Sequence, residues 1–128
     1  MGNILWSVDK KIYSEKENHT LTITGWAVTK DQITYDFSLC GSGKELSFPE
    51  PSRYERADVA ENLKETKDLK EVKNAGFTIK IPEILQLAQE NKNLQLVLHS
   101  GNEKEIIWEA TAEQVKALLY RQTYRISY

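Results

Sequence analysis

Cysteine, histidine, methionine and proline are all scarce in this chain of 128 residues: one Cys, two His, one Met and three Pro. The lone Cys40 rules out an internal disulfide and any multi-cysteine metal site. His19 and His99 lie far apart and form no HxH or HxxxH pair, so metal-ligand spacing is missing too, and surface positions are the simpler expectation for both. No apolar run approaches the roughly 20 residues that a membrane-crossing helix needs. The stretch from Met1 to Lys10 lacks the basic segment and apolar core of a secretory leader, so a cytoplasmic location is expected. A basic excess is absent: 17 Lys plus Arg against 19 Asp plus Glu give a formal charge of -2, which removes the electrostatic footprint of a general nucleic-acid binder. With 40% hydrophobic and 28% charged residues and no repeat, the composition is that of one globular domain. No metal, no cofactor, no nucleic acid and no direct membrane span are expected.

What the chain does have is alternation. Ile4, Trp6 and Val8 share one phase, as do Leu21, Ile23, Gly25 and Ala27, with threonines in the opposite phase. Ile33, Tyr35, Phe37 and Leu39 repeat the pattern, as do Leu46 with Phe48, Phe77 with Ile79 and Ile81, Leu94 with Leu96 and Leu98, and Ile106 with Trp108. A period of two places these residues on the buried side of half-exposed strands. About seven short strands result, and polar turns separate them. Cys40-Gly41-Ser42-Gly43-Lys44 and Ser100-Gly101-Asn102 read as hairpin turns, and Lys30-Asp31-Gln32 separates two further strands. Pro49 and Pro51 stop the strand that ends at Phe48.

Three segments break the alternation. Residues 57–73 are charged, with Val59, Ala60 and Leu63 at helical spacing. Residues 82–91 open on a proline, with Ile84, Leu87 and Ala88 on one face. Thr111-Ala112-Glu113-Gln114 has the form of a capping box ahead of Val115, Leu118 and Leu119. The expected fold is therefore mainly β, an antiparallel immunoglobulin-like β-sandwich with one to three short helices. Residues 1–110 form the sandwich, and 111–128 form a C-terminal helix or a linker toward a following domain. In that last segment Tyr120, Tyr124 and Tyr128 recur every four residues beside Arg121 and Arg125. Tyr120, Arg121, Tyr124 and Arg125 are the candidates for an interdomain contact.

Little in the sequence carries chemistry. Gly41-Ser42-Gly43-Lys44 lacks the longer glycine run, the Ser or Thr after the lysine, and the following helix that a phosphate loop needs, so the hairpin reading prevails. Cys40 ends a strand and reads as a small hydrophobe. Trp26 falls on the threonine side of its strand, which makes it the best exposed aromatic. With Tyr13, Tyr54 and Arg56 it forms the set of carbohydrate or interface candidates, because pyranose C–H faces stack on aromatic rings. Core packing is the competing role for the aromatics. Arg56 and Asp58 stand at the entry to a helix, where Asp58 is placed to cap and Arg56 to cross to a carbonyl or carboxylate. A structural role for Arg56 outweighs a phosphate-binding one.

The order Gly25-Trp26-Ala27, Arg56-Ala57-Asp58-Val59, Ala75-Gly76-Phe77 resembles an accessory β-sandwich domain attached to bacterial glycosyltransferases and polymerases of cell-surface polysaccharide and teichoic acid assembly. The resemblance covers residues 20–82 clearly and 4–110 in outline. Its motifs are short, so their specificity lies in order and spacing. It implies a cytoplasmic parent enzyme, often membrane-associated, whose separate Rossmann-like domain holds the chemistry. No Asp-x-Asp motif occurs in this chain, so no catalytic residue carries over and the chain itself is expected to be non-catalytic. Gly25, Asp58, Gly76 and Phe77 carry over as fold determinants. The implied partners are the catalytic domain of the same polypeptide and an acceptor glycan. The alternative is a protein-interaction or oligomerisation module without sugar affinity, using the terminal Tyr and Arg stripe.

Overall fold

The computed structural model describes residues 4–14, 18–30, 34–66, 69–70 and 72–118. The expected turn at 31–32, Ile33, Leu119 and the stripe of Tyr120, Arg121, Tyr124 and Arg125 lie outside the described residues. Nine strands form among the described residues: β1 (Ile4–Ser14), β2 (Thr20–Lys30), β3 (Asp36–Gly41), β4 (Lys44–Ser47), β5 (Ser52–Tyr54), β6 (Leu69–Lys70), β7 (Gly76–Ile81), β8 (Asn93–Ser100) and β9 (Glu103–Thr111). Two helices, α1 (Ala57–Asn62) and α2 (Ile84–Asn91), interrupt them, and a third, α3, covers residues 112–118. The two strands beyond the expected seven, β5 and β6, span three and two residues, too few for alternation to show.

The strands pair in two antiparallel sheets. The first runs β1-β2-β7-β5, with β6 on β2 beyond the end of β7; the second runs β4-β3-β8-β9. The chain makes a hairpin in the first sheet, crosses for β3 and β4, returns for β5 to β7, and crosses again for β8 and β9. That order is the immunoglobulin-like sandwich with one strand added to the edge of its second sheet. The inward residues follow the alternation: Leu21, Ile23, Phe37, Leu39, Phe77, Ile79, Leu94, Leu96 and Leu98 all meet in one core. Phe37 sits at its centre, its ring tilted 5.0 Å from Phe77 and edge-on 5.6 Å from Tyr35.

Two inward expectations fail, each for a local reason. Leu46 and Phe48 are exposed, Phe48 by 70%. β4 is an edge strand exposed at all four positions and ends at Ser47, so Phe48 opens the crossover to β5 instead. Ile106 is 49% exposed, while Ile107 and Trp108 are both buried. Val97 pairs with Ile106 and Leu96 with Trp108, so Ile107 is the extra residue of a β-bulge. The bulge breaks the period of two at this point.

The helices plug the sandwich rather than stand alone, since helices this short are marginal in isolation. α2 buries Ile84 and Ala88. Thr111 ends β9 and caps α3. The Thr111 N–H donates to Gln114 Oε1 at 2.9 Å, and the Gln114 N–H donates to Thr111 Oγ1 at 3.2 Å. This is the reciprocal bonding of a capping box, and it aims Val115 into the core. Thr111→Ala removes one side of it, with an expected loss of about 1 kcal/mol in stability by urea titration.

Candidate functional site

Two of the three short motifs, Gly25-Trp26-Ala27 and Ala75-Gly76-Phe77, lie far apart along the chain and meet in one row across the first sheet, while Arg56-Ala57-Asp58-Val59 enters α1 just after β5. Ser7 of β1 pairs with Trp26 of β2, Trp26 with Gly76 of β7, and Gly76 with Tyr54 of β5. One residue over, Val8 pairs with Gly25, Gly25 with Phe77, and Phe77 with Arg53. The Ala27 N–H donates to the Ala75 carbonyl at 2.9 Å, which extends the row past the end of β7. The two glycines are required by space. A β-carbon on Gly25 would overlap the Ser7 carbonyl oxygen and press on the Phe77 ring; one on Gly76 would overlap the Tyr54 ring. Phe77 points the other way and is fully buried in the core.

The outer side of this row is not a bare sheet face. Trp26 is half-buried there in a second small cluster, built on Val28, Val59 and Ala75 with Leu5 and Leu63 around it. α1 supplies Val59, its one buried residue. The opposite phase of Trp26 is as expected, but its side chain packs against a cluster to which α1 contributes Val59. Tyr54, 38% exposed, lies over Gly76. The sheet therefore brings Trp26 and Tyr54 together. Tyr13 is elsewhere, at the far end of β1, where its hydroxyl and His19 Nδ1 share a hydrogen bond of 2.5 Å and the rings stack.

Arg56 fastens this assembly. Its Nε and Nη2 donate to the two carboxylate oxygens of Asp58 at 2.8 and 2.7 Å, and its Nη1 donates to Asp9 Oδ2 at 2.6 Å. Asp9 is the extra residue of a bulge in β1: Val8 pairs with Gly25 and Lys10 with Thr24, and Asp9 faces neither. The bulge re-aims the Asp9 side chain toward Arg56. Asp58 does not cap α1, contrary to the reading of its position. The capping position is held by Arg56 without a side-chain bond, and the Asp58 carboxylate is taken by the guanidinium. Two carboxylates around one guanidinium leave a net negative charge, so Arg56 is a clamp and not a phosphate site. Its hydrogen bonds to Asp58 hold that carboxyl down at about 2. Arg56 itself is raised further still above its ordinary value, chiefly by Asp58.

A serine–histidine pair is the feature that sequence reading missed. Ser38 Oγ and His99 Nε2 lie 2.5 Å apart, and Cys40 Sγ is 3.7 Å from the same hydroxyl. All three lie on the outer face of the second sheet, with Asp36 directly opposite His99. The signal was strand register, which places residues two apart on β3 beside one residue of β8. Ser38 is fully buried, so its hydroxyl is beyond the reach of a carbonyl substrate and acts as a cross-strand brace. Among the described residues no group of three His, Cys, Asp or Glu is placed to hold a metal ion.

Two open clefts flank β4. One, of about 380 Å³, runs between α2 and the strand and is lined by Leu39, Leu46 and Leu87 with Lys80, Glu83 and Glu90 at its edges. The other, of about 430 Å³, lies beside the 48–51 crossover and is lined by Phe48, Asp36, Glu45, Glu50 and His99. Comparison with protein families, curated proteins and solved structures gives no match for this chain.

Gly25→Ala is expected to cost about 2–3 kcal/mol, because backbone and not a movable side chain occupies the space; the urea midpoint measures it. The Asp58 carboxyl is expected to titrate at about 2 in the native chain, against its ordinary 3.8. The unfolded chain binds that proton first as the pH drops, so the group's stabilisation is complete above 3.8 and lost toward 2. NMR titration of Asp58 in the native protein reads this directly, and Arg56→Gln is expected to return the midpoint to the ordinary range.

Proposed function

We propose that this chain is a non-catalytic accessory domain of a larger bacterial glycosyltransferase of cell-surface polysaccharide assembly. It either packs on the catalytic domain of the same polypeptide or holds the acceptor glycan near the active site. The convergence of the three motifs supports this reading. Gly25-Trp26-Ala27, Arg56-Ala57-Asp58-Val59 and Ala75-Gly76-Phe77 are separated by long stretches of chain, yet Gly25, Trp26, Gly76 and Phe77 pair directly and Arg56 ties the helix beside them to β1. Motifs that resemble a family in order alone can arise by accident. Motifs that also meet physically form one structural unit, which is what a shared fold demands. A sandwich by itself fixes no activity.

The role needs only weak sugar affinity. An acceptor held by a tethered domain is presented at high effective concentration, so contacts of modest strength raise its occupancy at the active site. The parent is cytoplasmic in this reading and meets the membrane through its other parts. None of the described helices is long and apolar enough to cross a membrane. The second reading, a protein-interaction module without sugar affinity, is favoured by Ile106. The bulge at Ile107 turns this side chain out on the second sheet, 49% exposed beside Val97.

An antibody raised against the domain separates the possibilities in a lysate of the source organism. The expected band runs far above the mass of this chain. A band at the mass of the 128-residue chain overturns the accessory-domain reading.

A further inference from the structure

We infer that the cleft beside the 48–51 crossover is a saccharide subsite, with Phe48 as its stacking platform and a pyranose carrying no negative charge as its ligand. The inference rests on the accessory-domain reading for its purpose and on the cleft itself for its chemistry. Of the aromatic residues first singled out, Trp26 packs against the Val28, Val59 and Ala75 cluster, Tyr13 is engaged with His19, and Tyr54, 38% exposed, lies over Gly76. Phe48 is different. At 70% exposure it is the most exposed large hydrophobic side chain described, and it lines a concave surface of about 430 Å³.

Three properties of the cleft match a sugar. The first is rigidity: Phe48 is followed by Pro49-Glu50-Pro51, and each proline fixes its own φ, so the ring is presented on a stiff crossover and little order is lost on binding. The second is the pairing of an apolar face with polar neighbours. The π face of the ring suits the C–H face of a pyranose, while Asp36, Glu45 and Glu50 offer carboxylate oxygens that accept from adjacent hydroxyls. None of these three carboxylates has an ion-pair or hydrogen-bond partner among the described residues. His99 lines the same cleft, with Nε2 engaged by Ser38 and Nδ1 without a protein partner among the described residues. The third is charge. No Lys or Arg lines the cleft, so a sugar phosphate or uronate meets three carboxylates and is repelled. A neutral or amine-bearing pyranose is accepted.

The test is a two-dimensional amide NMR titration of the full chain with neutral trisaccharides of glucose, galactose, rhamnose and N-acetylglucosamine, with a glucosamine trisaccharide, and with a glycerol-phosphate trimer. At least one uncharged or amine-bearing trisaccharide is expected to shift the amides around Phe48, Glu50 and His99, and the glycerol-phosphate trimer is expected to leave them still. Phe48→Ala should weaken binding about tenfold or more, as the loss of an anchoring aromatic does, while Phe48→Trp should keep it. The exposure of Phe48 leaves the fold of both variants intact, and unchanged amide positions elsewhere verify that. No shifts with any trisaccharide, shifts confined to another face, preference for the phosphate trimer, or binding indifferent to Phe48→Ala would each overturn the inference. The immunoblot reads the accessory role separately. A large parent band with a silent titration removes the subsite alone, whereas saccharide shifts with a band at the chain's own mass remove the accessory role and leave the subsite standing.

Discussion

Close backbone approach at Gly25 is the constraint on which the first sheet depends. The Ser7 carbonyl comes to lie where a side chain would otherwise project. That approach places the β1 bulge, and the bulge aims Asp9 at Arg56. Arg56 in turn gathers Asp58 and fixes the entry of α1, a helix of six residues that has no side-chain cap and one buried residue of its own. On the other side of the same glycine the space is filled by the Phe77 ring, which couples the outer brace to the central aromatic cluster with Phe37 and Tyr35. One absent methyl group thus links a surface ion cluster to the core.

Fold class was legible because alternation is a backbone property. Wherever a strand is regular and half-covered, as in Leu21 to Ala27 or Leu94 to Leu98, the inward residues are those with the right phase. The failures sit where the backbone leaves that regularity. Ile106 turns outward because a bulge adds a residue at Ile107, and bulges leave no clear mark in an apolar run. Phe48 keeps the right phase with Leu46, but the strand has already ended, and an edge strand has no second layer over it at that position. The capping box at Thr111 was legible in full, since both partners are local in sequence.

The candidate site was legible in its parts and not in its assembly. Arg56 and Asp58 are two residues apart, so their pairing was open to sequence reasoning, whereas Asp9 joins them from four strands earlier in the chain and through a bulge. Trp26 was placed on the correct face, but the cluster it packs against joins β2, α1 and the residue before β7 by tertiary contacts that no period reveals. Ser38 and His99 meet by cross-strand register alone. Non-local pairing is the common cause in each case. The alternation tells which way a side chain points, and only the sheet order tells what it meets.

The sheet edges carry one more consequence. β1 is interrupted by its bulge and followed there by exposed Lys10 and Lys11. β5 is three residues long and stands behind Pro51, β4 is four residues long and runs into Phe48-Pro49, and β9 has its own bulge and an exposed Lys104. Unpaired strand edges are templates for adding a neighbour's strand, and shortness, proline, lysine and bulges are what blunt them. The outer strands β1, β5, β4 and β9 each carry at least one of these devices. The same bulge that aims Asp9 at Arg56 therefore also blunts the β1 edge as a template for a neighbour's strand, so one irregularity serves both the packing of the native fold and the closing of its edge.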